Sequence, residues 1–268
     1  MIGPILLVAA LLGAMLLPHA PGRFDLSAAT ISLLARLLAW MSLILTPLGV
    51  LWWIDRRRDR LWYSLTRAAV GLLALLTAAA AVAANQATLG IGFAVAVLLP
   101  LWSSRRRRDP VSPAPRAAAR SFPSLLVIAP LLLVAFSGLV VPRTAAWSRD
   151  RAIRHSEPLI AEIEAYRARQ GHYPVSLQSL HADVPTGVVG IERFLYEPNG
   201  EAYNLFFVRP AVELDALEVV MFNPLDEHRF ASHELDLLQY HGEELDLRRG
   251  DRRRTVLSQP HWVSILFD

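Results

Sequence analysis

Apolar and polar positions divide the chain into two stretches with different periods. Residues 1–147 hold five apolar runs, at 2–17, 33–54, 68–84, 89–102 and 122–141. A helix needs about 20 apolar residues to cross a bilayer core. The second and fifth runs meet that length; the others are somewhat short. The pattern predicts five spanning helices. Pro47 is placed to kink the second. Arg36, near the outer end of that run, can snorkel to the interface. The link Asn85-Gln86-Ala87-Thr88 makes a helical hairpin of the third and fourth runs. Gly71, Gly90 and Gly92 read as helix-packing positions.

Beyond Trp147 the apolar positions change spacing. Leu159, Ile160, Ile163 and Tyr166 recur at helical intervals, with Glu157, Glu162, Glu164, Arg167 and Arg169 over the remaining surface. Pro158 is either a first-turn proline or a kink, and Gly171 ends the helix. After the Tyr173-Pro174 turn, Ser176 can cap a short helix carrying Leu177 and Leu180. Strands are expected at 193–197 and 202–208 around the turn Pro198-Asn199-Gly200-Glu201, and at 216–222, 235–240, 244–247 and 262–267. Turns are expected at His241-Gly242 and Arg249-Gly250-Asp251. The order is a long helix, a short helix and an antiparallel meander, an α+β plan. The helix face of Ile160, Ile163 and Tyr166 is expected on a sheet face containing Leu195, Leu205, Phe207 and Val219, with Tyr173 and Leu177 closing the end.

Charge then gives the runs a direction. Arg56, Arg57, Arg58 and Arg60 follow the second run, and Arg105 to Arg108 with Arg116 and Arg120 lie between the fourth and fifth. The junctions at 21–26 and 85–88 are nearly free of basic charge. Basic loops stay in the cytoplasm. The N-terminus is therefore expected inside and everything after Trp147 outside. Trp52, Trp53, Trp62, Tyr63, Trp102 and Trp147 sit at run ends, where interfacial aromatics belong. The first run has no preceding basic residue and is read as retained rather than cleaved.

The mean hydropathy of +0.33 fits several spans. Residues 1–146 carry net +10 and residues 147–268 net −7. The high pI, about 9.7, thus belongs to membrane-flanking loops, and no nucleic-acid partner is expected. All 27 basic residues are Arg, as a GC-rich bacterial genome would give, and no Cys is present for a disulfide or thiolate site. His228 and His233-Glu234 are spaced i, i+5 rather than the i, i+4 of metal helices, and read as surface polar residues. His241 with Glu243 and Glu244 reads as a turn. Asp226, Glu227 and Asp251 lack an Asp-x-Asp-x-Asp calcium frame. No nucleophile-elbow, Walker or dinucleotide glycine pattern occurs. The basic run from Arg248 to Arg254 is a solvated hairpin end, or else faces anionic headgroups or an acidic partner. No catalytic, cofactor-binding or metal residue is assigned.

The string Ile163-Glu164-Ala165-Tyr166-Arg167-Ala168-Arg169-Gln170-Gly171-His172-Tyr173-Pro174, followed by Ser176-Leu177-Gln178-Ser179-Leu180, resembles type IV pilins and especially the pseudopilins of type II secretion. The resemblance covers roughly residues 122–225. It implies a long helix packed on a small antiparallel sheet. The family's processing signature is absent before the fifth run, where Ser121-Phe122-Pro123-Ser124 stands, so no prepilin cleavage is expected. The expected organisation is a four-span bundle (1–109), a Pro/Arg-rich cytoplasmic linker (110–121), a fifth span (122–146) and a periplasmic pseudopilin-like α+β domain (147–268). The expected protein is a noncatalytic scaffold or interaction module of the bacterial inner membrane, with the lipid bilayer and a cell-envelope protein as partners. A membrane sensor and an envelope enzyme are the alternatives.

Overall fold

The structure is a computed structural model that describes residues 2–83, 116–180, 184–210, 217–228 and 252–267. Two compact units result. One comprises Met1–Leu17 and Leu26–Arg143, the other Pro18–Asp25 and Thr144–Asp268.

The first unit is helical. Its helices are α1 (Ile2–Leu16), α2 (Leu26–Ser42), α3 (Leu45–Ile54), α4 (Asp59–Ala83) and α5 (Arg116–Leu139). The break between α2 and α3 falls just before Pro47. Proline has no N–H for the Leu43 carbonyl. The Thr46 amide takes that carbonyl instead, at 3.0 Å, and the turn tightens. Leu11 and Met15 of α1 pack with Ala35 and Ala39 of α2 and Leu133 of α5. The buried Ser32 hydroxyl of α2 donates to the Met15 carbonyl at 2.9 Å. Leu45 and Trp52 of α3 meet Leu73 of α4 and Leu126 of α5. Gly49 makes the α3–α5 approach possible, since a Cβ there would stand 2.9 Å from the Pro123 carbonyl oxygen. It is the packing glycine that periodicity did not single out; Gly90 and Gly92 lie outside the described residues.

Three stretches are long and apolar enough to cross a membrane: Leu26–Ile54, Asp59–Ala81 and Phe122–Gln170. The helix Ile5–His19 is apolar but shorter. The run at 89–102 lies outside the described residues. Leu72, Leu75, Ile128 and Leu131 are more than half exposed, a surface suited to lipid rather than water. Helix α5 starts at Arg116, inside the stretch read as linker.

In the second unit, α6 (Val141–Gln170) lies on a five-stranded antiparallel sheet. Its strands are β1 (Leu195–Asn199), β2 (Ala202–Pro210), β3 (Leu217–Phe222), β4 (Arg252–Val256) and β5 (Trp262–Phe267). Pro158 lies inside α6 rather than opening a new helix. Gly171 ends the helix with φ +80°, its amide returning to the Arg167 carbonyl at 2.8 Å. The expected short helix is a single 3-10 turn, Leu177–Leu180. The β1–β2 loop is shorter than expected: Pro198 and Asn199 pair within the sheet, and Gly200, at φ +61°, starts the two-residue turn.

The sheet order is β1-β2-β3-β5-β4, so the expected meander is corrected. β5 pairs with both β3 and β4 because its alternate residues are apolar on both faces, which suits an inner position. The edge strand β4 falls on Arg252-Arg253-Arg254, a stretch read as a hairpin end. The expected strands at 235–240 and 244–247 lie outside the described residues.

The helix-facing core joins Ile153, Leu159 and Ile163 to Tyr203, Leu205, Phe207, Val220, Phe222 and Trp262. Tyr173 closes one end and Leu177 packs against it. Two expectations fail here. Val219 and Leu195 belong to a second cluster with Phe206, Met221, Val263 and Ile265. Strand alternation puts them on the other face, and Val220 takes the expected place of Val219. Tyr166 is half-buried and meets His172 edge-on, with ring centroids 5.8 Å apart, rather than joining this core cluster.

Ile163 is fully buried, so Ile163→Ala in the full-length chain is expected to cost about 2–5 kcal/mol. Glu157→Ala, on the exposed side of α6, should stay within about 0.5 kcal/mol. Hydrogen exchange of the β2 and β3 amides measures both. Equal protection in the two variants would mean that α6 does not dock on this sheet.

Candidate functional site

The parity of the core strands runs on into charge. On β2 the helix-facing positions are Leu205, Phe207 and then Arg209; on β3 they are Phe222, Val220 and then Glu218. Arg209 and Glu218 are register partners, and both are buried. The Arg209 guanidinium donates to Glu218 Oε2 through Nε at 2.7 Å, and its Nη2 pairs with the same oxygen at 2.7 Å. A buried, charge-assisted contact of this kind fixes both side chains. Ser264 of β5 donates to the same carboxylate at 2.6 Å, and Arg149 of α6 reaches it at 3.4 Å. Arg209 Nη1 turns to the Ala145 carbonyl and, at 3.4 Å, to the Ser148 hydroxyl. The group thus ties three strands to the first turns of α6.

Burial alone would raise the Glu218 carboxyl. The Arg209 guanidinium, the Ser264 hydroxyl and Arg149 outweigh it and hold its pKa below the usual carboxylate value. Burial lowers the Arg209 pKa, with Glu218 opposing, but an arginine starts so high that it stays charged. Sequence reasoning missed this pair. The signal was available: two charges occupying inward positions of strands whose other inward positions are apolar.

A second feature was also missed. The segment Pro18–Asp25, between α1 and α2, pairs with residues 187–190 of the second unit. Gly22 N donates to Gly187 O at 3.1 Å, and Val189 N to Ala20 O at 3.0 Å. Gly190 N donates to Pro18 O at 2.8 Å and Asp25 N to Val189 O at 3.0 Å. The approach needs glycine. A Cβ on Gly190 would meet the Pro18 oxygen at 2.6 Å, and one on Gly22 would meet the Val189 side chain at 2.9 Å. Gly187, at φ +72°, lies under the His155 ring. His19 of the strap stands 3.4 Å from the Ser148 hydroxyl.

At the far end of α6 lies the Tyr-Pro turn. Arg167 donates to the Tyr173 hydroxyl at 2.7 Å and lies 4.5 Å from its ring centroid. That hydroxyl donates to Glu164 at 3.4 Å, so Glu164 is half-buried rather than freely solvated. Burial, then the Glu164 charge, raises the Tyr173 pKa against the opposing Arg167. Tyr203 and Tyr196 stack behind it, and burial raises both of their pKa values as well. The Tyr203 hydroxyl lies near Glu164 without reaching hydrogen-bond geometry. Tyr196 donates to the Pro174 carbonyl at 2.8 Å. The arrangement clamps the turn onto the sheet.

Of the polar residues weighed for metal chemistry, Asp226, Glu227 and His228 fall in one loop. His228 reaches the carbonyls of Asp226 and His261, each at 3.0 Å, and His261 lies 3.2 Å from the Asp226 carboxylate. Asp226 and His261 both have positive φ. Buried Asn223 organises the same loop, accepting from Leu225 N and Glu227 N and donating to Asn204. His233, Glu234, His241, Glu243, Glu244 and Asp251 lie outside the described residues. Among the described residues no three His, Asp or Glu side chains gather as a metal site.

Scans of protein-family models, curated proteins and solved structures return no match to this chain.

Removing one partner of the buried pair leaves the other charged and unmatched. Glu218→Gln is therefore expected to destabilise the second unit by about 3–5 kcal/mol at neutral pH. Arg209→Met with Glu218→Leu together should cost less than either single change. The depressed Glu218 pKa adds stability above its unfolded value of about 4.3, lost as pH falls through the folded value. The gap between wild type and Glu218→Gln should therefore narrow below about pH 4; an unchanged gap in acid unfolding would refute the pairing. For the strap, Gly190→Val should speed hydrogen exchange at Gly22 and Asp25. Gly138→Ala, where a Cβ meets open space, should not.

Proposed function

We propose that this chain is a noncatalytic, multi-pass protein of the bacterial inner membrane that holds a pilin-like domain in the periplasm as a scaffold or interaction module. The observation that carries the reading is the strap. A loop that pairs with a domain must share its side of a membrane. Pro18–Asp25 pairs with residues 187–190, so the nearly neutral loop between α1 and α2 and the acidic C-terminal unit go together. If Leu26–Ile54 then crosses, Arg57, Arg58 and Arg60 fall on the opposite side. If α5 crosses toward the C-terminal unit, Arg116 and Arg120 at its start fall there too. Backbone pairing and charge distribution favour the same orientation, with the arginines in the cytoplasm.

The pilin-like part of the proposal is supported by a long helix lying on an antiparallel sheet. The Gly171-His172-Tyr173-Pro174 turn closes its end, with Leu177 packed beneath. A noncatalytic role is supported by where the buried polar groups go: Arg209, Glu218 and Ser264 engage one another, as do Glu197, Asn204 and Asn223. A part in secretion or pilus-type machinery rests on the resemblance alone; without a prepilin signature the domain is read as a fixed fixture rather than a filament subunit.

A reporter active only outside the cytoplasm should work when fused after Asp268 or at Asn85, and fail at Arg58 and Arg107. Activity at Arg107 would overturn the orientation. Crosslinking in intact membranes should capture an envelope protein through the wild-type chain. Capture that is unchanged when residues 144–268 are deleted would argue against the domain as the interaction module.

A further inference from the structure

The two edges of the sheet are built differently. At one edge, β1 carries Pro198, which has no N–H to offer a further strand. At the other edge, β4 holds neither proline nor bulge. Its residues pair with β5 in unbroken register, from Arg252 with Phe267 to Val256 with Val263.

One hydrogen bond gives the direction of the β4 backbone. Leu257 N donates to Trp262 O at 3.0 Å, continuing the same register. Partnered and outward positions alternate along an antiparallel strand. Thr255 and Arg253 therefore bond toward β5, and the N–H and C=O of Arg254 and Val256 point away from the sheet. Among the described residues no backbone group takes them. Both residues are exposed, Val256 at 76%.

Charge selects the occupant of this edge. β4 carries three successive arginines and no acid. Arg254 faces the His228 imidazole at 3.1 Å rather than a carboxylate. A second copy pairing β4 with β4 would set arginines beside arginines, which is unfavourable. An acidic strand would meet opposite charge instead. Val256 lies on the same face as Arg254 and offers an apolar contact next to it.

We propose that the outer edge of β4 is a docking site for an extended acidic segment of a partner protein, which adds to the sheet as a further strand. The proposal deepens, and rests on, the reading of the second unit as an interaction module. Main-chain bonds to Arg254 and Val256 supply the register. Carboxylates opposite Arg252, Arg253 and Arg254 supply the selectivity. Running antiparallel to β4, the segment carries an apolar residue opposite Val256 and, after one position, a run of acids.

Fluorescence anisotropy of a labelled peptide Ile-Thr-Glu-Glu-Glu, titrated with the detergent-purified full-length chain, tests this. Wild type should bind it in preference to Ile-Thr-Lys-Lys-Lys. Arg254→Glu should weaken binding at least about tenfold, and Arg254→Lys should keep more of it. Val256→Pro removes only an outward N–H, so it should weaken binding about fivefold while hydrogen exchange of the β5 amides stays unchanged. N-methylation of the first glutamate of the peptide, opposite Arg254, should abolish binding. N-methylation of the second, whose amide faces away from β4, should not. Equal losses from the two methylations, or binding untouched by Val256→Pro, would overturn the added strand. Binding lost in phosphatidylglycerol bilayers but kept in phosphatidylcholine would assign the arginines to lipid headgroups and overturn the peptide partner. The membrane side is scored separately. Arg254→Cys, in a chain with no cysteine of its own, should react with an impermeant maleimide on spheroplasts. No reaction there would sink the orientation, whereas the peptide titration alone decides the edge.

Discussion

The second unit depends on one contact, the apolar side of α6 laid across β2, β3 and β5. Ile153, Leu159 and Ile163 supply the helix side, and Leu205, Phe207, Val220 and Trp262 the sheet side. Burying a side chain of this kind is worth about 1.5–3 kcal/mol, so a few of them outweigh any surface ion pair here. The polar features sit at the two ends of this contact. At one end the Arg209–Glu218 pair, through Arg209 and the Ala145 carbonyl, holds the start of the helix to the strands; at the other Arg167, Glu164 and Tyr173 hold its end. The apolar stripe holds the helix down and the polar ends set its position along the sheet.

The buried ion pair is better understood as register control than as a source of stability. Replacing such pairs with apolar residues is often neutral or stabilising. A slip of one residue between β2 and β3 would send one of the two charges toward the other face, among Phe206, Val219 and Met221, and leave its partner unmatched. Arg209 also reaches the Ala145 carbonyl, so the helix reads the same register as the strands.

Much of this architecture was legible from residue pattern. α6 announced itself through the spacing of Leu159 and Ile163 and the glycine at 171. β1, β2, β3 and β5 announced themselves through alternation and the Gly200 turn. What was not legible has a common physical cause. The strap pairs through backbone amides of Gly22, Val189 and Gly190, and backbone pairing leaves no side-chain signature. β4 consists largely of arginines, and an edge strand carries no requirement for an apolar face. Val219 and Leu195 were assigned the wrong face because a run apolar at every position hides its own parity. The comparisons with known proteins add no template, so the functional reading stands on the strap's backbone pairing, the charge distribution and packing.

The sheet order has a kinetic consequence. β4 precedes β5 in the chain but finds its neighbour only through β5. A chain emerging from synthesis in sequence order would leave β3 with an open inner edge until residues 262–267 arrive. During that interval the apolar positions Val219, Val220 and Met221 lack their final strand partner, and an unpaired inner edge is prone to wrong pairing. Closure is therefore a late, non-local step, of the kind that slows folding relative to hairpin formation. The strap adds a contact of even greater sequence separation, between Gly22 and Gly187. Such a domain gains from a chaperone or a tethered position that keeps neighbours apart while the last inner strand arrives.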